Sequence, residues 1–449
     1  MGTKNKRRHF TPEYTAQVVE LCRRSGKTAG EVSRSVLRAR FAFPLGLALC
    51  ACGGDVIVTV SRDTAAMDSG VDGVVDATPP RCSGRWGLAP QVTYAVGRSP
   101  SSVAVGDYDR DGLLDLAIVN SADGSVGIAP GKGAGEFGPQ VVVNEGVDPV
   151  AIAASDVNRD GLLDLAVVNY AGTNTVGVLV NQGNLSFAAE VQYPTGSYSG
   201  DIAVADFNGD GWPDLLATNE NDGTVSVYLN AGDGTFAPRA IYYAGEIPVS
   251  VGLGDFDLDG WLDLAVADGH GEIVIVLHQK DGTFGKPAWY PAGYDPESVA
   301  VGDFNADGLP DVAVADYQGN SLSVLLNAGA GTFAPPVSYE IGAGPAFVAV
   351  GDFNGDGAAD IALANAAGNP AGSPTDAAVD GYGNTVSVYF NAGRGSFDTH
   401  VTYAVGAEPV ALAVADLNGD GVADLVVANE AANNDTDPST VSVLLSACH

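Results

Sequence analysis

The stretch "GDFNGDGAADIALAN", Gly351 to Asn365, sets Asp352, Asn354, Asp356 and Asp360 around Gly357 and then runs into small apolar residues. Carboxylates so close repel, and at ~5 Å even a solvated pair costs on the order of 1 kcal/mol, so the crowding implies a counter-ion or full exposure. The frame is not an isolated accident. It reads Asp107, Asp109, Asp111 and Asp115; Asp156, Asn158, Asp160 and Asp164; Asp206, Asn208, Asp210 and Asp214; Asp255, Asp257, Asp259 and Asp263; Asp303, Asn305, Asp307 and Asp311; and Asp416, Asn418, Asp420 and Asp424. Successive first aspartates lie 49, 50, 49, 48, 49 and 64 residues apart, the self-similarity of a repeat architecture.

One unit, Pro248 to Gly293, contains four short apolar stretches separated by turn residues, V-S-V-G-L, L-D-L-A-V-A, I-V-I-V-L and P-A-W-Y. Runs of β-branched and small residues bounded by Gly, Asp and Asn are strand signals. Four strands per unit is the size of one propeller blade, and a closed ring leaves few exposed sheet edges. The fold class expected is therefore all-β, a seven-bladed propeller of four-stranded blades. The seventh unit ends at "TVSVLLSACH" without a fourth strand, whereas "GLAPQVTYAVG", Gly87 to Gly97, precedes the first aspartate loop and matches "FDTHVTYAVG" before the seventh. An N-terminal strand thus completes the last blade. That arrangement brings Cys82 near Cys448, and a disulfide between them is expected in an exported chain; in the chain-entropy model it contributes roughly 4 to 5 kcal/mol.

Four side-chain oxygens at places one, three, five and nine, with glycine at place six for a sharp turn, suit a hard divalent cation. Calcium takes 6 to 8 oxygen ligands and tolerates irregular geometry, and up to seven structural Ca²⁺ ions are expected. Mg²⁺ fits less well because it demands a stricter octahedron, and the lack of Cys or His in the set excludes zinc. An EF-hand would close on Glu at place twelve between helices, which these loops do not do. Asp-rich turns can also simply bond their own backbone as Asx-turns.

The formal charge of −34 excludes nucleic acid as a partner of the repeat region. Residues 1–51 hold 10 of the 21 Lys/Arg and only 3 of the 55 Asp/Glu, so the remainder is more acidic still. Residues 36–52 have the layout of a lipoprotein signal peptide: Arg38 and Arg40, an apolar run from Phe41, and Leu49-Cys50-Ala51 before Cys52, the expected lipidation site. The apolar core is too short for a stable membrane span. Export, with a lipid anchor at the periplasmic or outer surface, is the expected localisation. Residues 53–86, rich in Gly, Asp and Pro, read as a flexible linker. Upstream, "KRRHFTPEYTAQVVELCRRSGKTAGEVSR" within residues 1–35 resembles the first two helices of an insertion-sequence transposase helix-turn-helix, or marks a misassigned start.

Residues 87–449 resemble the FG-GAP or VCBS repeat proteins, including the propeller head of integrin α subunits, on the aspartate loops, the "FGP" at Phe137 to Pro139 and the "GDGTF"-like turns. The resemblance implies calcium held between the first and second strands of each blade and a role in adhesion or ligand binding. The expected partner is a protein or glycan, and the expected state a monomer. Its expected site is the face opposite the metal loops, where blades six and seven carry long insertions. There Asp376, Asp380, Tyr382, Asp435 and Asp437 are the candidate ligand contacts. No catalytic residue is expected: the five histidines read as surface residues and no nucleophile elbow or phosphate loop is present. A polysaccharide lyase or hydrolase on the same scaffold is the alternative.

Overall fold

Asp360 to Asn365 form a strand in which every residue is buried, and so do the equivalent strands Asp115–Asn120, Asp164–Asn169, Asp214–Asn219, Asp263–Asp268, Asp311–Asp316 and Asp424–Asn429. Continuous apolar runs replace the usual in-out alternation because each sheet is covered on both faces by its neighbours. In a computed structural model, residues 86–449 are described except 146–147, 171, 281, 342–343, 367–382, 392, 431–438 and 449. The expected fragment at 1–35, the signal at 36–52 and almost all of the linker lie outside the described residues.

Seven four-stranded antiparallel sheets follow one another along the chain. Strand one of each blade packs on strand one of the next, and Pro100–Gly106 of blade one packs on Pro409–Ala415 of blade seven, closing the ring. The first strands therefore line the axis. Burial fades outward: strand four reads exposed, exposed, intermediate, exposed in Val92–Ala95, Val191–Pro194, Ala288–Pro291 and Val337–Glu340. Six first strands open on proline, each followed by a shifted register against strand two, which is where a residue without an N–H fits a sheet. Apolar side chains fill the seams between blades, as where Val225 and Val227 meet Val274, Val276 and Phe284.

Ring closure follows the sequence expectation. Val92–Ala95 supplies strand four of the last blade, with Val92 opposite Val443 and Ala95 opposite Thr440. A second short ladder pairs Trp86–Leu88 with Ser446–Cys448, so regular structure begins one residue inside the expected linker.

Candidate metal loops and the opposite mouth

Each aspartate loop joins strand one to strand two, so all seven share one rim of the ring. In the first, Asp107 accepts the amides of Asp111 at 3.2 Å and Gly112 at 3.0 Å, Asp109 accepts Asp111 N at 3.1 Å, and Asp111 accepts Leu113 N at 2.8 Å. The same bonds recur in later loops, for example from Asp352, Asn354 and Asp356. The sixth-place glycines all lie in the left-handed region, from Gly161 at φ 84° to Gly260 at φ 91°, where a Cβ is strained. The Asx-turns are thus present, and they point the first three side chains at one another. Carboxylate oxygens of Asp107, Asp109 and Asp111 lie within 4.8 Å of one another, as do those of Asp255, Asp257 and Asp263. These sets fit a divalent cation in donor chemistry. The other five loops carry Asn at place three, whose amide nitrogen bonds the fifth-place Asp in three of them, at 3.0 Å in Asn158 to Asp160.

The ninth-place aspartates have a further task that sequence spacing did not reveal. All seven are buried. Asp311 accepts Phe304 N at 2.9 Å and Asn327 N at 2.7 Å, and each of the other six likewise takes one amide from its own loop and one from beyond strand three. Burial pushes their carboxyls up, to about 6 at Asp115 and Asp214, about 7 at Asp164, Asp263, Asp311 and Asp424, and about 8 at Asp360, with the loop carboxylates adding repulsion. A nearby cation would relieve both effects.

In blades two to six, the residue donating that second bond also ties its blade to the one before. Asn181 donates to Tyr108 O at 2.9 Å, Asn230 to Val157 O at 2.8 Å, Asn327 to Phe256 O at 3.0 Å and Asn391 to Phe304 O at 2.7 Å. In blade four the place is taken by His278, whose Nε2 meets Phe207 O at 2.9 Å. His278 is 3 % exposed, correcting the expectation of a surface residue. The signal was available: aligning "HQKDGTF" with "NAGDGTF" and "NAGAGTF" puts the imidazole where its neighbours carry an amide. His270 is half exposed and pairs with Glu246 at 3.1 Å.

On the opposite rim a cavity of about 390 Å³ is lined by Glu297, Tyr317, Ala346, Ala366, Glu408, Val410 and Glu430. Glu297, Ala346 and Val410 are second residues of first strands, and Tyr317, Ala366 and Glu430 directly follow second strands, so the cavity sits at the channel mouth beside blades five to seven. Burial pushes Glu297 up to about 7, with Asp295 and Glu220 adding repulsion, and raises Glu408 with help from Glu430. Glu297 has no acidic counterpart in the other blades, whereas Glu220 of blade three stands at the place Glu430 holds in blade seven, and spacing alone could not bring these acids together. Asp376, Asp380, Tyr382, Asp435 and Asp437 lie outside the described residues, as do Cys52 and Cys82. Ala366, which opens the long blade-six interval, and Glu430, which opens the blade-seven one, both line the cavity.

No curated protein matches the chain. Among solved structures, an Agrocybe aegerita lectin described as recognising non-reducing terminal N-acetylglucosamine is 19% identical, with 81% of this chain and 86% of that one covered at TM-score 0.50. Virginiamycin B lyase from Staphylococcus aureus is 13% identical over 79% and 99% at TM-score 0.51. BBS1N, in complex with ARL6DN, is 13% identical over 81% and 97% at TM-score 0.53. These likenesses establish a shared fold. The FG-GAP-like repeat matches residues 107–167, 156–217, 206–266, 255–314, 303–363 and 376–427, each match spanning one aspartate loop and the next except the last. The chain therefore belongs to the FG-GAP-like repeat proteins, as a seven-bladed β-propeller.

Proposed function

We propose that this is a calcium-stabilised binding propeller, exported and anchored through lipidated Cys52, that takes a protein or glycan ligand on the rim opposite its metal loops. The observation that carries the reading is the contrast between the two rims. One repeats the same oxygen-rich turn in every blade, which is what architecture requires. The other gathers Glu297 and Tyr317 of blade five with Glu408 and Glu430 of blade seven, a combination no other blade repeats, around a cavity whose lining includes Ala366 and Glu430, the residues that follow strand two of blades six and seven. Non-repeating groups on a repeating scaffold are where specificity is carried. The calcium part rests on the carboxylate sets of the first and fourth loops and on the buried ninth-place acids.

The test is a glycan array and a surface-protein pull-down, each with calcium and with chelator. Binding is expected in calcium, and it should be lost in a Glu297→Gln/Glu408→Gln/Glu430→Gln variant whose melting temperature is unchanged. Undiminished binding by that variant and by a chain with both insertions trimmed would move the site elsewhere.

The alternative of a polysaccharide-processing enzyme draws on one feature, a Glu raised to about 7 in the same cavity as Tyr317. Perturbed acids in a cleft are suited to proton transfer near neutrality. Release of unsaturated or reducing ends from an array-positive glycan, abolished by Glu297→Gln, would select that reading.

A further inference from the structure

We propose that Arg110 and Arg159 are positioning residues that couple calcium uptake in the first three loops, so that filling one loop raises the affinity of the next. The inference rests on the calcium reading above and assigns these two side chains a role in it. Both arginines occupy the fourth place of their loops, between the third- and fifth-place ligands, with left-handed backbones at φ 63° and 59°. That backbone is held by the loop acids themselves, since Asp111 N, the next amide, is shared by Asp107 and Asp109, and Asp160 N by Asp156 and Asn158. A cation that fixes the acids fixes the root of the arginine.

The heads reach into the following loop. Arg110 Nε donates to Gly161 O at 2.7 Å and its Nη2 to Asp160 O at 2.9 Å, a fork onto two consecutive carbonyls. Arg159 Nη2 donates to Gly211 O, and its guanidinium carbon lies 4.2 Å from the ring centroid of Trp212, the seventh residue of the third loop. The carbonyls engaged belong to the fifth and sixth places, the turn that aims the fifth-place carboxylate. Glycine at place six leaves room for this contact: a Cβ on Gly161 would stand 1.8 Å from Arg110 Nη2. The chain of contacts ends there, because the fourth places of the remaining loops are Gly209, Leu258, Ala306, Gly355 and Gly419, with no side-chain donor.

Two elements joined in this way share their ordering cost. When calcium rigidifies loop one, the guanidinium fork already holds the turn of loop two, so the second ion meets a more ordered site; the coupling is reciprocal. A lysine at place four would present a point charge in place of a planar fork and would hold the two carbonyls less well.

The experiment follows hydrogen exchange of the full chain by mass spectrometry during a calcium titration, comparing residues 156–164 with residues 303–311. Loop five has no strap and serves as the internal control. Asp109→Asn, which weakens loop one, is expected to raise the calcium midpoint for protection of 156–164 several-fold and leave that of 303–311 unchanged. Arg110→Ala should raise the midpoint of 156–164 by itself and make it insensitive to Asp109→Asn, with Arg110→Lys intermediate. A shift caused by Asp109→Asn that persists in the Arg110→Ala background, or no shift in either background, would overturn the coupling while normal protection of 303–311 upholds calcium binding. Loss of calcium-dependent protection at 303–311 in the unaltered chain would overturn the calcium reading, and the coupling with it.

Discussion

His278 lies face to face with Trp261, their ring centroids 4.7 Å apart and their planes 6° from parallel. Lys280 N donates to His278 Nδ1 at 2.9 Å, which leaves Nε2 to carry the proton given to Phe207 O in the preceding blade. An imidazole thus performs the inter-blade task that four other blades assign to asparagine, and the stacked indole fills the space beside the larger ring. His278→Asn should therefore fold and melt close to the parent, losing mainly the stacking. His278→Ala leaves Phe207 O unpaired in a buried seam and opens a void, at a cost of about 2–4 kcal/mol. Equilibrium urea unfolding of both variants checks the order, and equal losses would contradict it.

The ninth-place acids serve the fold as well as facing the ion, whereas the third-place acid Asp109, beyond one amide bond within its own loop, serves the ion alone. Asp311→Asn turns an amide group toward one of two backbone donors, Phe304 N or Asn327 N, and should cost about 1–3 kcal/mol with or without calcium. Asp109→Asn removes one charge from three crowded carboxylates, so it should lower the melting temperature in calcium and leave it level or slightly higher in chelator. Thermal melts of both variants under both conditions distinguish the two classes.

The ninth-place acids also set a pH dependence. Their folded-state carboxyls lie at about 6 to about 8, above the ordinary 3.8, so the metal-free folded state holds protons that the unfolded chain has released. The stability they contribute is fully present below about pH 4 and is lost as pH rises through the range of about 6 to 8. In chelator the melting temperature should fall from pH 5 to pH 8. In calcium the ion competes with the proton for carboxylates, and the trend should flatten or reverse. A chelated protein that grows more stable toward pH 8 would contradict the assignment.

Seven blades, their order and the borrowed strand were legible because they depend on local pattern: turn glycines, apolar runs and a missing fourth strand at one end. That Val92–Ala95 completes the last blade could be anticipated from the missing fourth strand and the recurrence of "VTYAVG", whereas its register came from the structure. The acidic cavity was not, since Glu297 comes from blade five and Glu408 and Glu430 from blade seven, and they meet only because first strands converge on the axis. The second role of Asp115 and its counterparts was hidden for a different reason. An aspartate that caps two backbone amides and one that binds calcium occupy the same place in the same motif, and only burial and bonding partners tell them apart.

Two cysteine predictions concern the ends of the chain. Expression in a bacterium should give a detergent-partitioning product that begins at Cys52, with Cys52→Ser released as soluble protein; a cytoplasmic product retaining "MGTKNK" would refute export. Cys448 stands opposite Trp86, four residues from Cys82, in the short terminal ladder. A Cys82–Cys448 peptide should appear in non-reducing digests, and its reduction should lower the melting temperature.

The strand Val92–Ala95 leaves the ribosome before any blade does, yet its partner Thr440–Val443 is among the last segments made. Until then strands Pro409–Ala415 and Asp424–Asn429 lack their outer neighbours, and the first and last blades have no seam to share. The circle is thus withheld until Thr440–Val443 has been made. A chain in which Thr440–Leu444 is unpaired holds its ring open at one blade, and closure waits on the segment that grips Val92–Ala95.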